Sequence, residues 1–143
     1  MKKIVTLLSI LALLVGKSND SFSQCDPNGY TESCISKLND GFTFLKSFKI
    51  DGEAGSKSKV EYSYVFSKDT QYFINLCANG ANTDGIIVTM YDSNRKQVGT
   101  NFLNNSFYPA FIYPCNATGI YYITFTFKDS KSFCGGSVLG FKR

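Results

Sequence analysis

The chain has 143 residues, five cysteines, no histidine and a formal charge of +4. Its basic residues are scattered among acids, which argues against the concentrated Lys/Arg face of a nucleic-acid binder. Without histidine, neither a Ser-His-Asp nor a Cys-His catalytic site can be built. The cysteine spacings contain no C-x-x-C, which together with the missing histidine argues against a structural zinc site.

Lys2 and Lys3 precede an apolar run at residues 4–15, interrupted only by Thr6 and Ser9. Spanning a bilayer takes about 20 residues, so this shorter run reads as the core of a secretory signal peptide rather than an anchor. Ser21 and Ser23 supply the small residues that precede a cleavage site, which gives a signal peptide at residues 1–23. The mature chain would begin at Gln24, carry a net charge of +2 and contain no transmembrane helix. A competing reading makes Cys25 the acylated cysteine of an envelope lipoprotein. Gln24 stands where that motif wants a small residue.

Residues 24–41 form an N-terminal segment. Asp26-Pro27-Asn28-Gly29 is turn chemistry, and residues 30–38 suit a short helix with Ile35 and Leu38 on one side. From Phe42 the period changes to two. Phe44, Phe48 and Ile50 share one face of a first strand. Val60, Tyr62, Tyr64 and Phe66 alternate with Lys59, Glu61, Ser63 and Val65, the clearest half-buried strand in the chain. Strands follow at residues 71–77, at 86–91, which is apolar on both faces, and around Val98, Thr100 and Phe102. Asn104-Asn105 marks a turn. Residues 107–113 make a strand that Pro109 restricts to an edge or bulged position. The last two strands lie at 119–127 and 133–141. About eight short strands separated by turns predict an all-β, antiparallel β-sandwich or jelly roll at residues 42–143, with a short N-terminal helical segment before it.

In an exported chain, Cys25, Cys34, Cys77, Cys115 and Cys134 predict disulfides, with one cysteine left over. One arrangement pairs Cys25 with Cys34 and joins two of the other three. Another lipidates Cys25 and pairs the remaining four.

Several segments carry a resemblance. Tyr62-Ser63-Tyr64-Val65-Phe66 followed by Gln71-Tyr72-Phe73-Ile74-Asn75-Leu76 is one. Asp84-Gly85 leading through an apolar strand to Met90-Tyr91-Asp92 is another. Gly119-Ile120-Tyr121-Tyr122-Ile123 and Gly135-Gly136-Ser137-Val138-Leu139 complete the set. Over residues 60–141 the chain resembles the bacterial pre-peptidase C-terminal domain, although the cysteines depart from that family. The resemblance implies a non-catalytic, jelly-roll-like module and transfers no ligand. A jelly roll would set the third strand beside the last, which brings Cys77 near Cys134 and favours that pair over Cys77–Cys115.

Candidate chemistry is sparse. Exposed tyrosines at Tyr108, Tyr113, Tyr121 and Tyr122 would offer a stacking platform for an extracellular glycan. Asn79-Gly80-Ala81-Asn82-Thr83-Asp84-Gly85 is rich in oxygen ligands. Gly80 and Tyr91 occupy positions that exclude an EF-hand, so calcium would have to be held by Asp84 and Asp92; no other cofactor is expected. A carboxylate pair drawn from the Asp and Glu residues would support glycoside cleavage, but nearly all of these acids sit at turns. The sequence therefore predicts a non-catalytic exported module that binds an extracellular glycan or protein or serves as a surface component.

Overall fold

The computed structural model describes residues 24–79 and 83–143. The expected signal peptide lies outside these residues. In chain order the elements are α1 (Pro27–Ser36), β1 (Thr43–Asp51), a 3₁₀ turn (Glu53–Gly55), β2 (Lys59–Phe66), β3 (Thr70–Ala78), β4 (Ile86–Tyr91) and β5 (Gln97–Thr100). A two-stranded hairpin of β6 (Phe102–Leu103) and β7 (Ser106–Phe107) follows, then β8 (Ala110–Cys115), β9 (Gly119–Phe127) and β10 (Cys134–Lys142).

Two antiparallel sheets result, one ordered β1-β10-β3-β8 and the other β2-β9-β4-β5. This is the strand order of a jelly roll, with the hairpin inserted as an extra. The third and last long strands do pair, with Gly136 opposite Cys77. Pro109 immediately precedes β8, and β8 is an edge strand, as a residue without an N–H requires.

Alternate side chains of both sheets fill the space between them. Val60, Tyr62, Tyr64 and Phe66 of β2 all face this core. Phe66 is fully buried, its ring stacked 3.8 Å from Tyr72 and 4.8 Å from Tyr121. Burying a side chain of that size contributes roughly 1.5–3 kcal/mol. The Tyr62 hydroxyl donates to the Lys49 carbonyl at 2.6 Å and ties β2 to β1 across one side of the sandwich.

The first strand departs from simple alternation. A bulge between Phe44 and Lys46 adds a residue to β1. Leu45 then packs on the core while Phe44 is left exposed, so Phe44 does not share the face of Phe48 and Ile50.

The helix starts earlier than expected, because Asp26 caps it and Pro27 occupies its first turn. The Asp26 carboxylate accepts from the Asn28 N–H at 3.2 Å. Its buried face is Thr31 and Cys34, three residues apart. Ile35 is 43% exposed, and only Leu38 of the expected pair packs against the sheet.

Disulfides fix that orientation. Cys34 bonds Cys77 on β3, and Cys25 bonds Cys134 on β10. Both expected pairings, Cys25–Cys34 and Cys77–Cys134, are therefore corrected. Cys77 faces Gly136, so Cys134 lies two residues along on the same face. Such a diagonal leaves the Cα atoms about 7–8 Å apart, too far for a bond. α1 lies on this face and offers each cysteine a nearer partner. The Cys25 sulfur is thus engaged in a disulfide and offers no thiol from which a lipoprotein's thioether could form. Cys115 is free and buried. It pairs with Thr70 at the far end of β3 from Cys77, about 20 Å away at strand spacing.

Candidate functional site

The region that stands apart from this frame is the β6–β7 hairpin. Asn104 and Asn105 both have positive φ, 50° and 62°, as a two-residue turn of the primed type requires and Asn tolerates. Phe102 stands opposite Phe107, their rings 4.7 Å apart. Leu103 is 53% and Tyr108 47% exposed.

The base of the hairpin is rigidly held. Asn101 is completely buried. Its Oδ1 accepts from the Val88 N–H at 2.8 Å, and its Nδ2 donates to the carbonyls of Tyr108 at 3.1 Å and Ile86 at 3.3 Å. The backbone of Asn101 adds bonds to Val88 and Tyr108. One side chain thereby ties both ends of the hairpin to β4.

Beside the hairpin lies a cleft of about 760 Å³. Phe73 and Asn75 of β3 are among the residues of its floor, Phe107 and Pro109 border it on the hairpin side, and Lys37 closes it toward α1. Asp84 lines the remaining wall and is pinned there. Its carboxylate accepts from the Lys131 and Ser132 N–H groups and from the Ser130 and Ser132 hydroxyls. Burial pushes its pKa up, but these bonds outweigh burial and hold the carboxyl below the usual range. Gly85 makes the approach possible. With φ at +66°, a Cβ there would lie 2.1 Å from the Lys128 carbonyl oxygen.

The residues expected from sequence to form sites are dispersed. Tyr113 and Tyr121 lie in the core, 9% and 3% exposed, because each is in phase with its strand's inward residues. The Tyr121 hydroxyl donates to the Ala117 carbonyl at 2.8 Å. Burial, then its contacts with Tyr113 and Cys115, pushes its pKa up. Tyr122 points the other way, but the Arg95 guanidinium covers its ring at 3.6 Å. Of the four tyrosines, Tyr108 alone is substantially exposed and uncovered, so no platform assembles.

Asp84 and Asp92 flank opposite ends of β4, which at strand spacing puts them about 20 Å apart. They cannot share a cation. Asp92 instead accepts from the Asn94 and Lys96 N–H groups in its own turn. Gly80, Ala81 and Asn82 of the expected oxygen-rich loop lie outside the described residues. Among the described residues there is no group of three or more metal-ligating side chains.

The remaining acids with perturbed pKa values are stabilised as anions. A hydrogen bond from Arg95 holds Glu61 below the usual range, helped by Thr124. Lys57 does the same for Glu53. A glycosidase acid needs the opposite shift.

No family model and no curated protein matches the chain. Among solved structures, it is similar to PliG of Aeromonas hydrophila, a periplasmic lysozyme inhibitor of g-type lysozyme. The two are 13% identical with a TM-score of 0.42, over 71% of this chain and 85% of that one. It is also similar to the Glycosylation Associate Protein (Gap123) complex from Streptococcus agalactiae. That likeness is 14% identical with a TM-score of 0.39, over 73% of this chain and 40% of the other. At this overlap neither likeness bears on function.

Proposed function

We propose that the chain is an exported, non-catalytic module that binds another extracytoplasmic protein through the β6–β7 hairpin and its cleft. The observation that carries this reading is the Asn101 anchor. It holds a short hairpin rigid while Leu103, Phe107 and Tyr108 remain exposed at 53%, 37% and 47%. Rigid apolar anchors lose little entropy on binding, so they suit a protein interface. A protein is preferred to a glycan because the four tyrosines do not form a stacking surface. Two disulfides fit a chain that folds outside the reducing cytosol, and residues 1–23 serve as the export signal. Residues 60–141 are taken as a module of the pre-peptidase C-terminal kind.

Site-specific photo-cross-linking tests the proposal. The disulfide-intact exported chain would carry a benzophenone side chain at Leu103 or, on the opposite face, at Val65, and be exposed to envelope proteins of its host. Adducts should form at Leu103, and Tyr108→Ala should reduce them roughly tenfold, as loss of an interface anchor does. Adducts confined to Val65, or a glycan-array signal that depends on Tyr108, would refute it.

A further inference from the structure

The chain is tied down almost at once after the cleavage point read from its sequence. Cys25 is bonded to Cys134, their Cα atoms 5.5 Å apart. Asp26 then caps α1, which begins at Pro27. Gln24 alone stands between the cleavage point and the bridge. It is exposed and borders an open cleft together with Asp26 and Tyr30. Removal of residues 1–23 turns its backbone nitrogen into a primary amine within reach of its own side-chain amide.

We propose that Gln24 of the mature chain closes to a pyroglutamyl lactam, which seals the N-terminus one residue before the Cys25–Cys134 bridge. The α-nitrogen bonds to Cδ, the bond from Cδ to Nε2 breaks, and Nε2 leaves as ammonia with a proton from the amine. No electrons are gained or lost and no co-reactant is needed. An α-amine is partly the free base at neutral pH. Attack within one residue replaces a bimolecular encounter, which favours ring closure. The reaction needs no rearrangement of the fold, because Gln24 is exposed and the bridge begins only at the next residue.

The bridge is what the seal protects. It joins residues 109 apart in sequence, against 43 for Cys34–Cys77, and a longer loop constrains the unfolded chain more. Yet one of its cysteines is the second residue of the mature chain. An aminopeptidase that removed Gln24 and then cut after Cys25 would leave Cys25 on Cys134 as a lone amino acid. The bridge would then close no loop and no longer tether α1. Pro27 would halt most such enzymes at Asp26, because they cleave poorly before proline. A lactam has no α-amine for them to grip. It also removes a cation from beside the positive end of α1, whose first turn holds no acidic residue. This inference rests on residues 1–23 being an export signal and is independent of the hairpin's binding role.

The test expresses the full-length precursor in a secreting bacterial host and purifies the disulfide-intact exported chain. After incubation in neutral buffer its mass should be that of residues 24–143 less one ammonia. Pyroglutamyl aminopeptidase should then expose Cys25 as the first residue. A general aminopeptidase should leave the parent intact. Gln24→Ala, which keeps a free amine, should lose its first two residues to that enzyme, begin at Asp26 and unfold at lower urea. A chain that begins at Gln24 and keeps its amine would overturn the lactam while leaving the export signal in place. A chain that retains residues 1–23, begins at another residue or carries an acyl group on Cys25 would overturn both. Equal resistance of the parent and Gln24→Ala to the aminopeptidase would overturn the protective role. If Gln24→Ala is not exported, the mass of the parent and its resistance decide.

Discussion

The two sheets share one core but treat their outer faces in opposite ways. On β1-β10-β3, α1 covers the outer face, and two disulfides hold it there. Beneath it the strands are pared down. A Cβ on Gly136 would lie 2.6 Å from the Thr31 backbone nitrogen, and one on Gly140 would lie 2.6 Å from Leu38 Cδ1. On β2-β9-β4 no helix or strand among the described residues packs over the outer face. Its side chains cover one another instead: Arg95 bridges Tyr122 and Glu61, and Thr124 bonds Glu61 beneath them. The difference teaches that a jelly roll can present one face as a foundation and leave another for solvent. The cleft sits where the cover stops, between the end of α1 and the hairpin.

If α1 is a structural cover, cutting its tether should have the largest effect. Cys34→Ala combined with Cys77→Ala opens a bridge with a sequence separation of 43. The chain-entropy relation assigns such a loop about 4 kcal/mol. Chemical denaturation should show a loss of that order, and hydrogen exchange should accelerate first in α1. A loss no larger than that of Tyr122→Ala on the open face would erase the distinction between the faces.

The next effect is steric. Gly136→Ala must push α1 away from β10, because the close contact is with backbone rather than a flexible tip. Overpacking of this kind costs about 1–3 kcal/mol. Thr126→Ala, on the open face, should stay within about 0.5 kcal/mol. Urea midpoints of the two variants give the comparison directly.

The same contrast explains what could be read from the sequence. β2 alternates visibly because one side meets the core and the other meets water. β3 and β10 are buried on both sides, so alternation disappears there, and nothing local announces that a helix covers them. The cover is written in Gly136, Gly140, Cys34 and Cys77, residues whose role depends on a contact distant in sequence. The disulfide pairs failed for the same reason: strand order placed Cys77 near Cys134, but not the N-terminal segment that offers each of them a nearer partner. Tyr113 and Tyr121 could have been assigned to the core, since Tyr121 is in phase with Ile123 and Phe125, and Tyr113 with Phe111 and Cys115. The hairpin was legible as Asn104-Asn105 between Phe102 and Phe107. Asn101 was not, because a buried asparagine has no signature until its partners on β4 are known.

The smallest effect belongs to the open face and should depend on salt and pH. Arg95 donates to Glu61 at 2.9 Å, with the guanidinium half exposed to water. An ion pair in that setting contributes little to stability and is screened by salt. Arg95→Ala should therefore lower stability slightly at low ionic strength and less in high salt. The hydrogen bond from Arg95 is the chief cause of the depressed Glu61 pKa. A carboxylate with a lowered folded pKa stabilises the fold above its unfolded value, about 4.3 for glutamate. That contribution is lost as pH falls through the lower folded value. Stability of the parent should thus drop more steeply than that of Arg95→Ala in this acidic window, and the two should differ by a constant amount above it. Parallel pH profiles throughout would mean that Arg95 serves only to shield Tyr122, and the open face would then be held by stacking rather than by charge.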